Sequence, residues 1–142
     1  MATRFGSINI VVDDVVGLTE FLTALGVEVD PVDPDWHAWI RHHRSFGAAD
    51  DIDADLDSSR FAADWGGVST DFRGVVVNLQ TDDRDAVDRG YVLAIERGAV
   101  PCKAPYDAFW GSRYAVVESP FGITFGLMSP SDPNRTPPTF TP

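Results

Sequence analysis

Two carboxamides and a row of carboxylates are the groups in this chain best placed for chemistry. Asn9 lies in Asn9-Ile10-Val11-Val12-Asp13-Asp14, and half a chain length later Asn78 lies in Asn78-Leu79-Gln80-Thr81-Asp82-Asp83. In both copies an alternating strand meets an acidic pair, then a helical stretch, a glycine (Gly26, Gly98) and a short apolar strand. A chain made of two related halves tends to hold its site between them, so equivalent positions can be compared directly. The carboxylates come from 51–57, where period two sends Ile52, Ala54 and Leu56 to one face and Asp51, Asp53, Asp55 and Asp57 to the other. Burying such a row without a cation is costly. Asp53 and Asp55 are therefore either solvated, partnered, or set to hold a cationic ligand.

The elements that must position these groups are legible from periodicity. Residues 7–12 alternate as a half-buried strand, and Asp13 or Asp14 caps a helix whose stripe is Val15, Leu18, Phe21, Leu22 and Leu25. Gly26 ends that helix. Short strands are expected over 27–32 and 36–41, a turn over 42–50, and a strand over 51–57. Ser58 or Ser59 then starts a helical turn through Phe61 and Trp65. The second half repeats the scheme. A strand runs over 74–81, and Asp82 or Asp83 caps a helix to about Arg97. Short strands follow at 100–103 and 112–118, and a turn at 119–122 leads to a closing strand over 123–128. Each half thus reads β-α-β-β-β. The fold class is α+β: two tandem βαβββ modules forming a cupped, largely antiparallel sheet around a central cavity. Module one spans about 5–66 and module two about 72–130, within a single domain over 1–130. Residues 131–142 form a proline-rich tail expected to be disordered or to hug the surface.

Composition narrows the classes. The chain has 142 residues, 44% hydrophobic and 23% charged, which suits one globular domain with a real core. No apolar run is long enough to span a bilayer, no secretory leader opens the chain, and a lone Cys102 rules out an internal disulfide. A net charge of −11 disfavours nucleic acid and anionic membranes as partners. A cytoplasmic location fits.

The stretch Tyr106-Asp107-Ala108-Phe109-Trp110-Gly111-Ser112-Arg113-Tyr114-Ala115-Val116-Val117-Glu118, followed by Ser119-Pro120-Phe121-Gly122 and Gly126-Leu127-Met128-Ser129-Pro130, resembles a known hairpin. It is the closing hairpin of the vicinal-oxygen-chelate superfamily, which includes glyoxalase I, extradiol dioxygenases, and the bleomycin and fosfomycin resistance proteins. Asp55-Leu56-Asp57-Ser58 resembles the end of the fourth strand in that group. Ser119 and Phe121 replace the two acids usual in the turn. The resemblance spans roughly 5–130 and implies fold more than activity. Metal-dependent members take two ligands per half, His, Glu or Gln. Those positions fall here near Ser7, Asp55, Val76 and Gly126, and only Asp55 could bind an ion. The resemblance therefore implies no metal and no cofactor. His37, His42 and His43 lie around one strand; His37 with Asp53 or Asp55 could make a partial site, but solvated histidines near a turn explain them as well.

If Ile8, Ile10, Val12, Leu56, Val77, Leu79 and Leu127 face the helices, parity sends Ser7, Asn9, Val11, Asp53, Asp55, Val76, Asn78, Gln80, Thr124, Gly126 and Met128 to the cavity. Asn9 and Asn78 then flank the pseudo-twofold axis. They either contact a ligand or simply bond each other and water. Trp39, Trp110, Phe109, Tyr114 and Arg113 are further candidates. Trp110, in a loop beside Gly111, could stack on a planar or cationic ligand or could cover the core. Arg113 could bind an anionic ligand or pair with Asp53 or Asp55, and the pair is the expectation. Trp36 and Trp65 read as core, and Cys102 as structural. The expected ligand-binding set is Ser7, Asn9, Trp39, Asp53, Asp55, Asn78, Gln80, Trp110, Arg113 and Thr124. It points to a metal-free protein binding a small molecule, cationic or aromatic, and working as a homodimer as bleomycin-resistance proteins do. The alternatives are a lyase, isomerase or dioxygenase of the superfamily, with displaced ligands or with Asp53 or Asp55 as general base, and an accessory domain with a vestigial cavity.

Overall fold

The computed structural model describes residues 3–47, 52–138 and 140–142. The first half comprises β1 (Arg4–Val12), α1 (Val15–Ala24), β2 (His43–Phe46), β3 (Asp53–Ser58) and α2 (Ser59–Gly66). The second comprises β4 (Gly74–Gln80), α3 (Arg84–Glu96), β5 (Val100–Asp107), β6 (Arg113–Glu118) and β7 (Thr124–Met128). The acidic pairs do the same work in both halves. Asp14 caps α1 by accepting from the Gly17 amide, and Asp83 caps α3 by accepting from the Ala86 amide, each at 2.8 Å.

One mixed α+β sheet results, in the order β2-β3-β1-β4-β7-β6-β5. The halves meet edge to edge at its centre, where β1 and β4 run antiparallel with Ile8 opposite Val77 and Ser7 opposite Asn78. Within each half the first strand pairs parallel with the last, β1 with β3 and β4 with β7. The other pairs are antiparallel. Parity then sorts the faces. Ile10, Val12, Leu18, Leu22 and Leu56 pack with Val15 under α1, while Leu79, Ala115 and Leu127 pack with Val87 under α3. Removing a fully buried Leu or Val side chain from water in this way contributes about 1.5–3 kcal/mol. The concave face carries a third cluster, built on Val11, Val76, Tyr114 and Val116.

That third cluster exists because α2 lies inside the cup. Ser58 starts this helix, its hydroxyl accepting from the Phe61 amide at 3.2 Å. Phe61, Ala62 and Trp65 are then buried against the sheet. Gly67 ends the helix at φ 63°, where a Cβ would run into the Cys102 carbonyl. Part of the cup is therefore filled by helix, and the cavity lies beside it, lined in part by Phe61 and Trp65.

Three local expectations fail. Residues 27–32 form no strand; Pro31 and Pro34 break the run, and Asp30 ties it to β2, its N–H donating to the Ser45 carbonyl at 2.9 Å and its carbonyl accepting from Arg44 at 3.4 Å. Residues 36–41 are not a strand either. Asp33 caps a 3-10 helix over Pro34–Trp39, with proline at its start where no amide partner is needed. Trp36 and Trp39, three apart, then lie on one side with rings 5.1 Å apart. The strand comes later, as β2, within the expected turn. The rest of that turn, 48–50, and Asp51 at the start of the expected strand lie outside the described residues. β5 runs longer than 100–103. It lies at the sheet edge with register shifts, where Pro101 and Pro105 leave no ladder bond unmade.

The tail has no regular structure but is docked. The Thr136 amide donates to the Phe109 carbonyl at 3.0 Å, and Phe140 packs on Trp39 and Phe61 with ring centroids 5.0 Å away. Among the described residues no helix is long and apolar enough to cross a membrane.

Candidate functional site

The unfilled part of the cup is a cavity of about 500 Å³. One wall is polar and comes mainly from the first half: Ser7, Asn9, His43, Ser45, Asp53, Asp55 and Asp57, with Asn78 across the seam. The other is aromatic: Trp36, Phe61, Trp65, Phe109, Trp110 and Tyr114, with Met128. Arg135 of the tail reaches the lining.

Period two explains the polar wall. β1 presents Ser7 and Asn9, β3 presents Asp53, Asp55 and Asp57, and β2 presents His43 and Ser45. Register sets the contacts, since His43 lies opposite Asp57 and Ser45 opposite Asp55. A continuous hydrogen-bonded chain follows. The Tyr114 hydroxyl donates to Asn78 Oδ1 at 2.7 Å, and Asn78 Nδ2 donates to Asn9 Oδ1 at 2.6 Å and to Ser7 Oγ at 3.1 Å. Asn9 Nδ2 donates to Asp57 Oδ2 at 2.6 Å. Asp57 Oδ1 meets His43 Nδ1 at 2.6 Å, and His43 Nε2 meets Ser45 Oγ at 3.0 Å. The chain crosses the pseudo-twofold axis, and its carboxylate, Asp57, is only 1% exposed.

Charge is concentrated at the first-half end. Burial, then the charge of Asp57, pushes the Asp55 carboxyl up to about 6, against the opposing pull of His43. Burial acts to lower the pKa of His43, but the hydrogen bond and charge of Asp57, with the charge of Asp55, outweigh it and hold it above its usual value. Burial raises the Tyr114 phenol well above its usual range, so it serves as a neutral donor. Trp110 Nε1 is buried without a hydrogen-bond partner among the described residues.

Of the residues singled out from sequence, Ser7, Asn9, Asp53, Asp55, Asn78 and Trp110 come together in the cavity. Four do not. Trp39 is buried in the aromatic cluster behind the lining, because the 3-10 helix turns it inward. Gln80, at the end of β4, has its amide against the Thr81 carbonyl at 3.4 Å. Thr124 is buried opposite Val76. Arg113 points away from Asp53 and Asp55; it pairs with Asp88 at 2.8 Å and Asp107 at 3.2 Å, tying β6 to α3. His37 is not in the lining either, whereas His43 is. Phe109 and Tyr114, named as further candidates, also line the cavity, whereas His43, Ser45 and Asp57 were missing from the expected set. Asp57 continues the parity of Asp53 and Asp55, and His43 and Ser45 share a face once β2 is recognised as a strand.

No family model and no curated protein matches the sequence. Solved structures do match. A protein from Legionella pneumophila named as an NAD-dependent benzaldehyde dehydrogenase superposes with TM-score 0.61 at 11% identity, over 90% of this chain and 98% of that one. A glyoxalase/bleomycin resistance protein/dioxygenase superfamily member from Vibrio splendidus 12B01 gives 0.55 at 16%, over 91% and 100%. A variant of homoprotocatechuate 2,3-dioxygenase from B. fuscum gives 0.60 at 14%, over 90% of this chain but 32% of that one. The chain has the vicinal-oxygen-chelate fold. At these identities the likeness concerns the fold alone.

The donors at the positions where this fold carries its metal ligands do not suit an ion. Val76 is fully buried and has no donor atom. Gly126 has no side chain, and a Cβ there would run into Asn78 Oδ1 and the Tyr114 hydroxyl. Tyr114, reaching across from β6, takes that space. Among the described residues no three His, Cys, Asp or Glu side chains are arranged to hold a metal.

Proposed function

We propose that this protein binds a small molecule, a drug or metabolite, without a metal, in the manner of the glyoxalase/bleomycin-resistance type. The observation that carries the reading is the two-sided cavity, with three aspartates on one wall and closely packed aromatics on the other. A ligand with a cationic or donor-rich end and a planar aromatic body matches both walls. The buried, unpartnered Trp110 indole N–H supports it, since a ligand acceptor would satisfy that donor. The acidic chain, a cytoplasmic setting and a homodimer complete the proposal.

Titrating a panel of cationic aromatic compounds while following tryptophan fluorescence tests it. Asp55→Asn is expected to weaken cationic ligands by about tenfold or more at pH 7.5 and to spare neutral aromatic ones. Unchanged affinity would refute the carboxylate role. A rise in Tm of chelator-treated protein with micromolar nickel, zinc, manganese or ferrous ion would overturn the metal-free reading. A second reading, a metal-free lyase or isomerase, is favoured by one observation: a carboxyl held at about 6 is poised as a general base at neutral pH.

A further inference from the structure

The polar wall contains a connectivity that simple binding does not require. Asp57 Oδ1 holds His43 Nδ1 at 2.6 Å, and His43 Nε2 meets Ser45 Oγ at 3.0 Å. Carboxylate on Nδ1 and hydroxyl on Nε2 is the order of an Asp-His-Ser relay, recognised by geometry and roles rather than by chain order. Each link is fixed by the sheet. His43 and Asp57 are cross-strand partners, His43 and Ser45 share one face of β2, and Asn9 anchors the second oxygen of Asp57 at 2.6 Å. The three side chains line the cavity, where the His43 ring lies 5.1 Å from Trp36 and 5.7 Å from Phe61, and that lining also holds Trp110, whose buried indole N–H has no partner among the described residues. The Asp55 carboxyl also bonds the Ser45 hydroxyl and competes with His43 for its proton.

We infer that Ser45 is a nucleophile activated by His43 and Asp57, and that the cavity cleaves small esters bearing a planar aromatic group. Ser45 Oγ attacks the acyl carbon as its proton passes to His43 Nε2. His43 gives that proton to the departing alcohol oxygen as the ester C–O bond breaks, leaving acyl-Ser45. Water then loses a proton to His43 and attacks the acyl carbon, and the proton returns to Ser45 Oγ as the acid leaves. The sum is ester plus water to acid plus alcohol. The inference rests on the reading that the cavity takes a small aromatic ligand, and adds a covalent step to it.

The test is reaction of the full chain with an aryl fluorophosphonate, with the adduct mapped by peptide mass spectrometry and ligand binding followed separately by tryptophan fluorescence. The expected result is an adduct on Ser45, absent in Ser45→Ala and unchanged in Ser119→Ala, a serine in the β6–β7 turn. His43→Gln should slow its formation by at least about 100-fold. Ser45→Cys, alkylated by iodoacetamide at a rate that depends on His43, checks the relay without relying on an alanine variant. Folded protein giving no adduct on Ser45, or an adduct formed equally fast in His43→Gln, overturns the inference. In that case a retained fluorescence response leaves the binding proposal standing. An adduct on Ser45 without any ligand response would instead sink the binding proposal and keep the relay.

Discussion

At Asp55 the fold acts against ionisation. Burial and the Asp57 charge raise its carboxyl to about 6, so the folded chain holds this proton more tightly than the unfolded chain does. The stability tied to Asp55 is therefore full near about pH 3, below the usual carboxylate value, and is lost as pH rises to about 6. His43, also raised, adds a loss in the same direction at higher pH. The Asp55 contribution is at most about 3 kcal/mol. Asp55→Asn should thus raise Tm at pH 7.5, by at most roughly 5–10 °C, and leave it nearly unchanged at about pH 3; thermal melts across pH check this. At the far end of the hydrogen-bonded chain, Tyr114→Phe removes the donor to Asn78 Oδ1 and leaves that buried oxygen unpaired. A loss of about 1–3 kcal/mol in urea unfolding is expected. If the loss is absent, the Tyr114–Asn78 bond does not hold the chain together.

At the scale of elements, the tail and the 3-10 helix decide the shape of the aromatic wall. Phe140 sits against Trp39, Phe61 and His42, and Arg60 donates to the Thr141 carbonyl at 3.1 Å. Phe140 is only partly buried, so Phe140→Ala should cost about 1–2 kcal/mol, below the value for a fully buried phenylalanine. It should also quicken proteolysis of the tail, measured by limited digestion, while β1 to β7 stay protected. These elements also show where sequence reading stopped. β1, α1, β4 and α3 were legible because each carries a long periodic stripe and an acidic cap separates strand from helix in both halves. The Asn9–Asn78 meeting followed from the repeat alone. The segment from 27 to 47 was not legible, because its run of aromatic and apolar residues at 36–40 reads as strand-like in composition, while the spacing of Trp36 and Trp39 fits the 3-10 period. The local signal that decided it was Asp33-Pro34, a helix start. Placing a strand there hid β2, and with it His43 and Ser45. Arg113 was misassigned for another reason: pairing with Asp88 depends on which face of β6 meets α3, and neither the strand nor the helix shows that by itself.

For the whole molecule, the seam between β1 and β4 is the decisive feature, because it places both halves of the cavity in one chain. Asn9 and Asn78 meet across that seam, and the polar and aromatic walls both lie within reach of it. A homodimer is therefore not needed to complete the site, and it should form through the outer surface. Large apolar side chains stand exposed there on β1 (Phe5, 78%), on α1 and at its C-cap (Phe21, 62%; Leu25, 69%) and beside β7 (Ile123, 49%). Exposure of this kind supports burial against a second copy. Phe5→Glu places a charge in that surface on a chain already at −11, so repulsion between copies adds to the lost apolar contact. Sedimentation should show wild-type dimer and a concentration-dependent shift toward monomer in Phe5→Glu. Ligand affinity per chain should stay the same, because the polar and aromatic walls named above both come from one chain. A wild-type monomer would remove the dimer from the proposal. A monomeric variant that has lost its ligand would mean that the second copy shapes the cavity after all.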